Sequence, residues 1–566
     1  MIMKKNILYF LVVSFVALSG CQNIDELLSP SKNQGLTRLV AKFTTGEYTG
    51  KTAVEYTISD ATADTYVIPI PWFYPESSDN ETTKYMSAMK IEANLGNNYK
   101  IEPVLGILDL TKNNYFTLTD PDGQKRTINI RGERTKSNAC SILAFSLLDP
   151  SLTGIIDQDK QDISIISVDD LSSCLASYTL SAHATISPDP AVTPINLNSP
   201  VQFTVTAHNE TSKKTYTVQK RIPSKIGFGF RSGSGVGLYA IDASTLSLPD
   251  ISVPTVPSLA VIGANLVINY GNGSTPIYLN KATGKQLGNI NLGSANASGC
   301  VASDVYGTML ICNYANNGES FNVYKTKSVT SSPILLFSYP NISGLPIGYK
   351  VSVQGNIDAN AIIVATCENS SSFVRWIVTG GVVGQPEVIT ANGISSWAGI
   401  DNTPKLAYRS TNINDGYFLG HYDGGKDNVY FMDGTTNNPV SHLSGQSDGS
   451  GWGMGNGILD VKEFNSARYM VLYSVAYFPM WGMPSGIYLY DVTGTSMFTN
   501  AAVDNSSALV FKNQAVTSFD GGSAPADSRT GDVLLYPSSD GYKLDLYYID
   551  NTNRVVGCYE FDCIDK

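Results

Sequence analysis

Between Gly237 and Asp550 one short phrase returns seven times, built from a small residue, a β-branched residue, Tyr, an apolar residue and Asp or Asn. It reads Gly237-Leu238-Tyr239-Ala240-Ile241-Asp242, Pro276-Ile277-Tyr278-Leu279-Asn280, Phe321-Asn322-Val323-Tyr324 and Phe373-Val374-Arg375-Trp376-Ile377. Later versions are Asn428-Val429-Tyr430-Phe431-Met432-Asp433, Gly486-Ile487-Tyr488-Leu489-Tyr490-Asp491 and Leu544-Asp545-Leu546-Tyr547-Tyr548-Ile549-Asp550. Each has the look of an exposed edge strand, and other strands such as Met309–Tyr314 and Tyr469–Ser474 fall between them. The spacing of roughly 40–60 residues is that of propeller blades, four-stranded sheets that bury both faces only when the ring closes. Residues 225–566 are therefore predicted to form a β-propeller of seven blades. Six is the alternative, because the segment around Tyr239 lacks an obvious full set of strands.

The composition agrees with an all-β chain. Fifty Gly, 32 Tyr and only 15% charged residues suit short strands and many turns better than helices rich in Ala, Glu and Lys. Upstream of the repeats, two hairpins share one shape. Phe116-Thr117-Leu118-Thr119, an Asp-Pro-Asp-Gly turn at 120–123 and Thr127-Ile128-Asn129-Ile130 make the first. Phe203-Thr204-Val205-Thr206 and Thr215-Tyr216-Thr217-Val218 make the second, at a distance close to the size of an immunoglobulin-like sandwich. Two tandem modules of that kind are predicted over 37–134 and 135–224.

The first residues carry Lys4 and Lys5, then an apolar run from Ile7 to Leu18, then Leu18-Ser19-Gly20-Cys21. A positive start, a short apolar centre and small residues before a cysteine describe a lipoprotein signal peptide over 1–20. Cys21 is expected to carry the lipid and to open a tether over 21–36, with acyl chains worth ~0.8 kcal/mol per buried methylene holding the protein to a membrane. Nothing after Cys21 approaches the ~20 apolar residues of a spanning helix. A formal net charge of −11 and no basic cluster interleaved with aromatics argue against nucleic acid as a partner.

The lipobox at Cys21, the acids Asp25 and Glu26 just behind it, the two hairpins and the recurring phrase together resemble the surface lipoproteins of Bacteroidota in which tandem immunoglobulin-like modules precede a C-terminal propeller. That resemblance implies an outer-membrane location facing the cell exterior, capture of polysaccharide or oligosaccharide, and outer-membrane transport proteins as partners. It supplies no catalytic residue.

Chemistry is sparse in the motifs. The four histidines, His183, His208, His421 and His442, have no metal-ligand spacing, though His421 and His442 could meet on the propeller face. No nucleophile elbow, phosphate loop or dinucleotide fingerprint is present. The seven cysteines beyond Cys21 show no CxxC spacing; buried free thiols are expected for most, with Cys140 and Cys174 the pair to test for a disulfide. A glycosidase needs two acids flanking the scissile bond; Asp401, Asp423, Asp427, Asp433 and Asp448 are available, but acids in such loops usually form turns. No cofactor is expected, and calcium among these loops has no motif behind it.

Aromatic loops say more. Trp452 sits among glycines with Asn456 nearby, and Tyr477 and Trp481 stand beside prolines. Trp397 could join them from the preceding blade, while Trp376 is read as covering the central channel or packing between blades. A ring in a Gly-rich loop can stack on the apolar face of a sugar while amides take its hydroxyls; the competing reading has these rings cover the central channel or pack between blades. The Trp72-Phe73-Tyr74 run reads as an interdomain contact. The leading expectation is non-catalytic glycan binding through Trp452, Trp481, Tyr477, Trp397 and Asn456. A propeller glycoside hydrolase or lyase, and an adhesion or protein-interaction module, are the alternatives.

Overall fold

The computed structural model describes residues 35–249, 255–397, 404–421, 428–445, 457–475, 485–494, 501–513, 516–519 and 529–565. The signal segment and Cys21 lie outside them. The chain divides into two compact units, residues 1–222 and 223–566.

In the first unit, strands Thr52–Thr57, Leu36–Phe43, Met89–Leu95 and Ile107–Leu108 form one sheet, and Thr65–Pro71, Lys125–Thr135, Asn114–Thr119 and Lys100–Glu102 a second. Alternation places Leu39, Ala41, Phe43, Ile68, Ile70, Phe116, Leu118, Ile128 and Ile130 in one core between them. A second two-sheet sandwich follows, its larger sheet running Ile155–Asp157, Asp162–Ile166, Lys213–Arg221, Val201–Thr206, Thr185–Ser187. The two hairpins read from the sequence occupy equivalent places: Phe116 faces Ile128 in one and Phe203 faces Tyr216 in the other. In each sandwich the closing strand also pairs in parallel with an earlier one, Thr65–Pro71 in the first and Asp162–Ile166 in the second. The first turn is fixed by Asp120, whose Oδ1 accepts from the amides of Asp122 and Gln124, with Gly123 at φ 83°. Phe73 stacks on His183 at 4.1 Å and on His208 at 5.4 Å between ring centroids, so the Pro-bracketed aromatic run packs against the second sandwich.

The second unit contains six antiparallel sheets among the described residues, five of four strands and one of five. Blade 1 runs Ser258–Ile262, Asn265–Asn269, Ile277–Asn280, Gln286–Asn289; blade 2 runs Val301–Ser303, Met309–Cys312, Ser320–Thr326, Ile334–Pro340. Blade 3 runs Ile347–Gly355, Ala361–Cys367, Ser372–Thr379, then Val382–Val383 with Glu387–Thr390 beside it; blade 4 runs Ala407–Tyr408, Tyr417–His421, Asn428–Met432, Pro439–Ser444. Blade 5 runs Gly457–Phe464, Ala467–Ser474, Gly486–Asp491, Leu509–Asn513, and blade 6 runs Gly531–Pro537, Lys543–Asp550, Val555–Asp562 with Val236–Asp242 as its outer strand.

Six apolar clusters join these sheets, one for each neighbouring pair, including blade 6 with blade 1. A single strand serves two of them: Ile363 and Ala365 point to blade 2, while Ile362 and Val364 point to blade 4. That is why the central strands are apolar at successive positions rather than alternating. The first strands of the blades touch in a closed cycle, the arrangement of a β-propeller.

The expectation of seven blades is therefore corrected to six. The first phrase, around Tyr239, and the last, around Tyr547, lie in the same sheet, with Tyr239 opposite Cys558. Only the first phrase is an edge strand. The others are inner strands, third in blades 1 to 5 and second in blade 6, and their Tyr and Leu residues are largely buried. The closure is reinforced by Arg231, whose Nε and Nη2 donate to the two carboxylate oxygens of Asp562 at 3.0 and 2.6 Å. Replacing Arg231 with Ala is expected to lower stability by about 1–3 kcal/mol, because it leaves a two-point, charge-assisted pair half made at the seam of the ring. Urea unfolding of the full chain followed by tyrosine fluorescence checks this; an unchanged midpoint would show that strand pairing alone holds the seam.

Candidate functional site

The first strands of the blades carry charge toward the axis of the ring. Lys350, at 2% exposure, donates from Nζ to Pro257 O at 3.1 Å and Gly531 O at 2.7 Å, crossing from blade 3 to the chain leading into blade 1 and to blade 6. Lys405 donates to Asp532 Oδ1 at 2.9 Å and Val533 O at 2.8 Å, while Asp532 Oδ2 accepts from Leu259 N at 2.7 Å. Asp460 accepts from Lys462 Nζ at 2.8 Å and from Leu535 N at 2.9 Å. Burial lowers the pKa of Lys350 to about 8 against the opposing pull of Asp532. Burial opposes charge on Lys405 as well, but Asp532 and Asp460 outweigh it and raise its pKa. These groups strap the blades together across the axis, and the acids among them are committed to lysines and amides.

At one end of the ring two tyrosines and a glutamate come together. In an antiparallel blade the start of the first strand and the link from second to third strand lie at the same end. Tyr349 stands at the start of blade 3, Tyr314 in the second link of blade 2, and Glu368 in the second link of blade 3. Tyr314 and Tyr349 are half-buried, with ring centroids 4.4 Å apart. Tyr314 Oη donates to Glu368 Oε2 at 3.4 Å, and Glu368 Oε1 is buried without a hydrogen-bond partner. Burial raises the Glu368 pKa to about 7, only partly offset by the Tyr314 hydrogen bond. Burial also raises the pKa of both tyrosines, so their hydroxyls stay protonated. The arrangement presents two rings beside a carboxyl group that is neutral for much of its population near pH 7. It can stack on an apolar ligand face and exchange hydrogen bonds with hydroxyls.

Of the residues expected from the sequence, Trp452, Trp481, Tyr477 and Asn456 lie outside the described residues, as do Asp401, Asp423, Asp427 and Asp448. Trp397 is corrected: it is 0% exposed in the core between blades 3 and 4, and its Nε1 donates to Cys367 O at 2.6 Å. Its ring is consumed by packing and its polar atom by a backbone carbonyl, so it offers no face to a ligand. Trp376 packs against Phe321, Phe337 and Tyr339 between blades 2 and 3. His421 and His442 do not meet, because the Tyr430 ring lies between them at 6.1 Å from each. Asp433 forms a turn, accepting from the amides of Thr435 and Thr436. All seven described cysteines, Cys140 and Cys174 among them, are free and buried. Among the described residues no group of three or more His, Cys, Asp or Glu is placed to hold a metal, and no helix is long and apolar enough to cross a membrane. Tyr314, Tyr349 and Glu368 escaped sequence reasoning because Tyr314 and Glu368 sit one or two residues beyond a strand end and Tyr349 near the start of a strand, with no motif linking positions so far apart in the chain.

Three family descriptions match the chain. Domain of unknown function (DUF8500) covers residues 237–562, Domain of unknown function (DUF5018) residues 16–132, and Domain of unknown function (DUF8499) residues 142–220. No curated protein matches. Among solved structures, a DUF4623 family protein from Bacteroides eggerthii is 15% identical over 75% of this chain and 99% of that one, with a TM-score of 0.43. The major Malassezia sympodialis allergen Mala s 1 is 11% identical over 56% and 97%, at a TM-score of 0.33, and a Bacillus subtilis arabinanase 11% identical over 46% and 92%, at 0.26. Superpositions this loose carry no argument about function.

Proposed function

Because the chain belongs to the DUF8500 family, which brings a domain and no activity with it, we propose its function from the site itself: non-catalytic binding of a polysaccharide or oligosaccharide at one end of the propeller. The observation that carries this reading is the Tyr314–Tyr349 pair beside the buried carboxyl of Glu368. Half-exposed rings next to a neutral hydrogen-bonding acid match the mixed apolar and hydroxylated faces of a sugar better than they match a charged small molecule. The sequence supports a setting for this activity. Cys21 would anchor the protein at the outer membrane, facing the exterior, and two immunoglobulin-like sandwiches would act as a spacer. Outer-membrane transport proteins would receive the captured glycan.

The enzymatic alternative draws on the same Glu368, since a carboxyl titrating near 7 has the property of a general acid. A glycosidase also needs a second carboxylate across the bond, and the groups acting on Glu368 are its burial and Tyr314.

The test is affinity electrophoresis of the soluble chain, begun after Cys21, on a panel of polysaccharides, with product analysis of each mixture. Tyr349→Ala and Tyr314→Ala are each expected to weaken binding by about tenfold without cleavage in any mixture. Cleavage would replace the receptor reading by the enzymatic one. Binding unaffected by both variants but lost in Trp452→Ala or Trp481→Ala would move the site to those loops.

A further inference from the structure

Cys300 and Cys312 flank the pairing of the first two strands of blade 2, and the register sets them opposite one another. Val301 pairs with Ile311 and Ala302 with Leu310. One step further, Cys312 N donates to Cys300 O at 2.9 Å, while Cys312 O accepts from Gly299 N at 3.0 Å. Gly299 is thus the extra residue of a bulge that keeps Cys300 as the partner of Cys312. A Cβ on Gly299 would stand 2.6 Å from Gly348 O and 2.7 Å from Asn313 O, so no side chain fits there and the position of the bulge is fixed.

Alternation decides where the two thiols point. Cys300, Ala302, Leu310 and Cys312 all enter the apolar cluster between blades 2 and 3, whereas Val301, Met309 and Ile311 enter the one between blades 1 and 2. Directly opposed residues of an antiparallel pair have Cα atoms about 4.5–5.5 Å apart, inside the roughly 4.4–6.8 Å that a disulfide spans. The thiols already interact: a hydrogen bond with Cys300, and then burial, holds the Cys312 pKa well above that of an ordinary thiol.

The register brings no other two of the described cysteines opposite each other. Cys140 lies beyond the end of a strand pair where Ile142 meets Leu180, and Cys174 beyond the opposite end, where Leu147 meets Ala176. Those two therefore stand a strand's length apart. Cys367 faces Ile347, Cys558 faces Tyr239 and Tyr547, and Cys563 Sγ donates to Gly541 O at 3.4 Å.

We propose that Cys300 and Cys312 form a disulfide in the exported chain. This inference rests on the export signal read before Cys21 and is independent of the saccharide reading. The thiolate of one cysteine attacks the disulfide of a protein oxidant, whose second sulfur leaves as a thiolate; the other cysteine then attacks the mixed disulfide. Two protons and two electrons leave the pair, and the oxidant becomes a dithiol. Cys300 is 1% and Cys312 0% exposed in the folded ring, so the exchange precedes the packing of blade 3 onto blade 2. Cys312 comes two residues before Tyr314, so the bridge also pins the strand end that carries that ring.

The test exports the soluble chain, begun after Cys21, to a bacterial periplasm behind a substitute signal peptide, so that the result does not depend on the chain's own. The product is unfolded in urea with excess N-ethylmaleimide and digested with trypsin, which releases Gln286–Lys325, a peptide with these two cysteines and no other. The expected peptide is unlabelled and lighter than its reduced form by two hydrogens. Dithiothreitol should lower the urea midpoint of wild type by about 0.5–1 M and leave the double variant Cys300→Ala with Cys312→Ala unmoved. A peptide labelled on both cysteines would overturn the assignment, as would linkage of either to a third cysteine. A midpoint lowered equally in the double variant would place the bridge elsewhere in the chain and overturn it as well.

Discussion

Replacing Asp532 with Ala is expected to destabilise the propeller by about 3–5 kcal/mol, among the largest effects of any single substitution in the chain. Asp532 is 1% exposed and serves three partners at once: the ammonium of Lys405, the amide of Leu259, and, through its charge, the ammonium of Lys350. Its removal strands one buried lysine without a counter-charge and another with a weaker one, and leaves a buried amide without an acceptor. The cost arises from what is left behind more than from the pair itself, since taking two charges out of water offsets most of their attraction. The double variant Asp532→Leu with Lys405→Met should therefore recover much of the loss. Urea unfolding of the full chain for the single and double variants checks both statements. A double variant as unstable as Asp532→Ala would show that the hydrogen bonds to Leu259 and Val533, rather than the stranded charge, dominate.

The second large effect is a dependence of stability on pH carried by Glu368. Its pKa is raised by burial to about 7 in the folded chain, above the ordinary value of 4.5. The folded state then binds a proton more tightly than the unfolded one. The sign follows: the contribution is present in full below about pH 4.5 and is lost as pH rises through about 7. At about 1.4 kcal/mol per unit, and reduced by relaxation and partial solvation of the link, the span is about 1–3 kcal/mol. Glu368→Gln keeps the shape and the hydrogen bond from Tyr314 but removes the titration. It should flatten the stability profile between pH 4.5 and 7.5 and make the variant more stable than wild type at pH 8. Unfolding midpoints measured across that range decide it; parallel profiles would mean that the carboxyl reaches solvent when ionised. Lys350 acts at the other end of the scale, since its depressed pKa makes stability rise between about pH 8 and 10.5.

The site was less legible in the sequence than the fold. Trp397 shows why: a tryptophan beside serines and a glycine reads as an exposed loop ring, yet the segment folds inward and its indole fills the space between two blades. Whether a ring faces water or a neighbouring sheet is settled by the shape of the gap it fills, which residue type and spacing do not encode. Tyr314, Tyr349 and Glu368 are the reverse case. They look like ordinary residues at strand ends and gain meaning only because the ring brings two links and a strand start together.

What the sequence by itself determined was the all-β class, the repeated hairpins of the first unit and a recurrent strand phrase whose faces demand neighbours. Those follow from period-two alternation, turn residues and the burial needs of a single sheet, all local in the chain. Only the tertiary structure decided the number of blades. The phrase at Tyr239 and the phrase at Tyr547 follow the same pattern, but they become two strands of one sheet because six sheets already complete the ring and the seam has to be closed by hydrogen bonds between distant ends of the domain. Ring closure is a long-range geometric condition, and no window of sequence contains it.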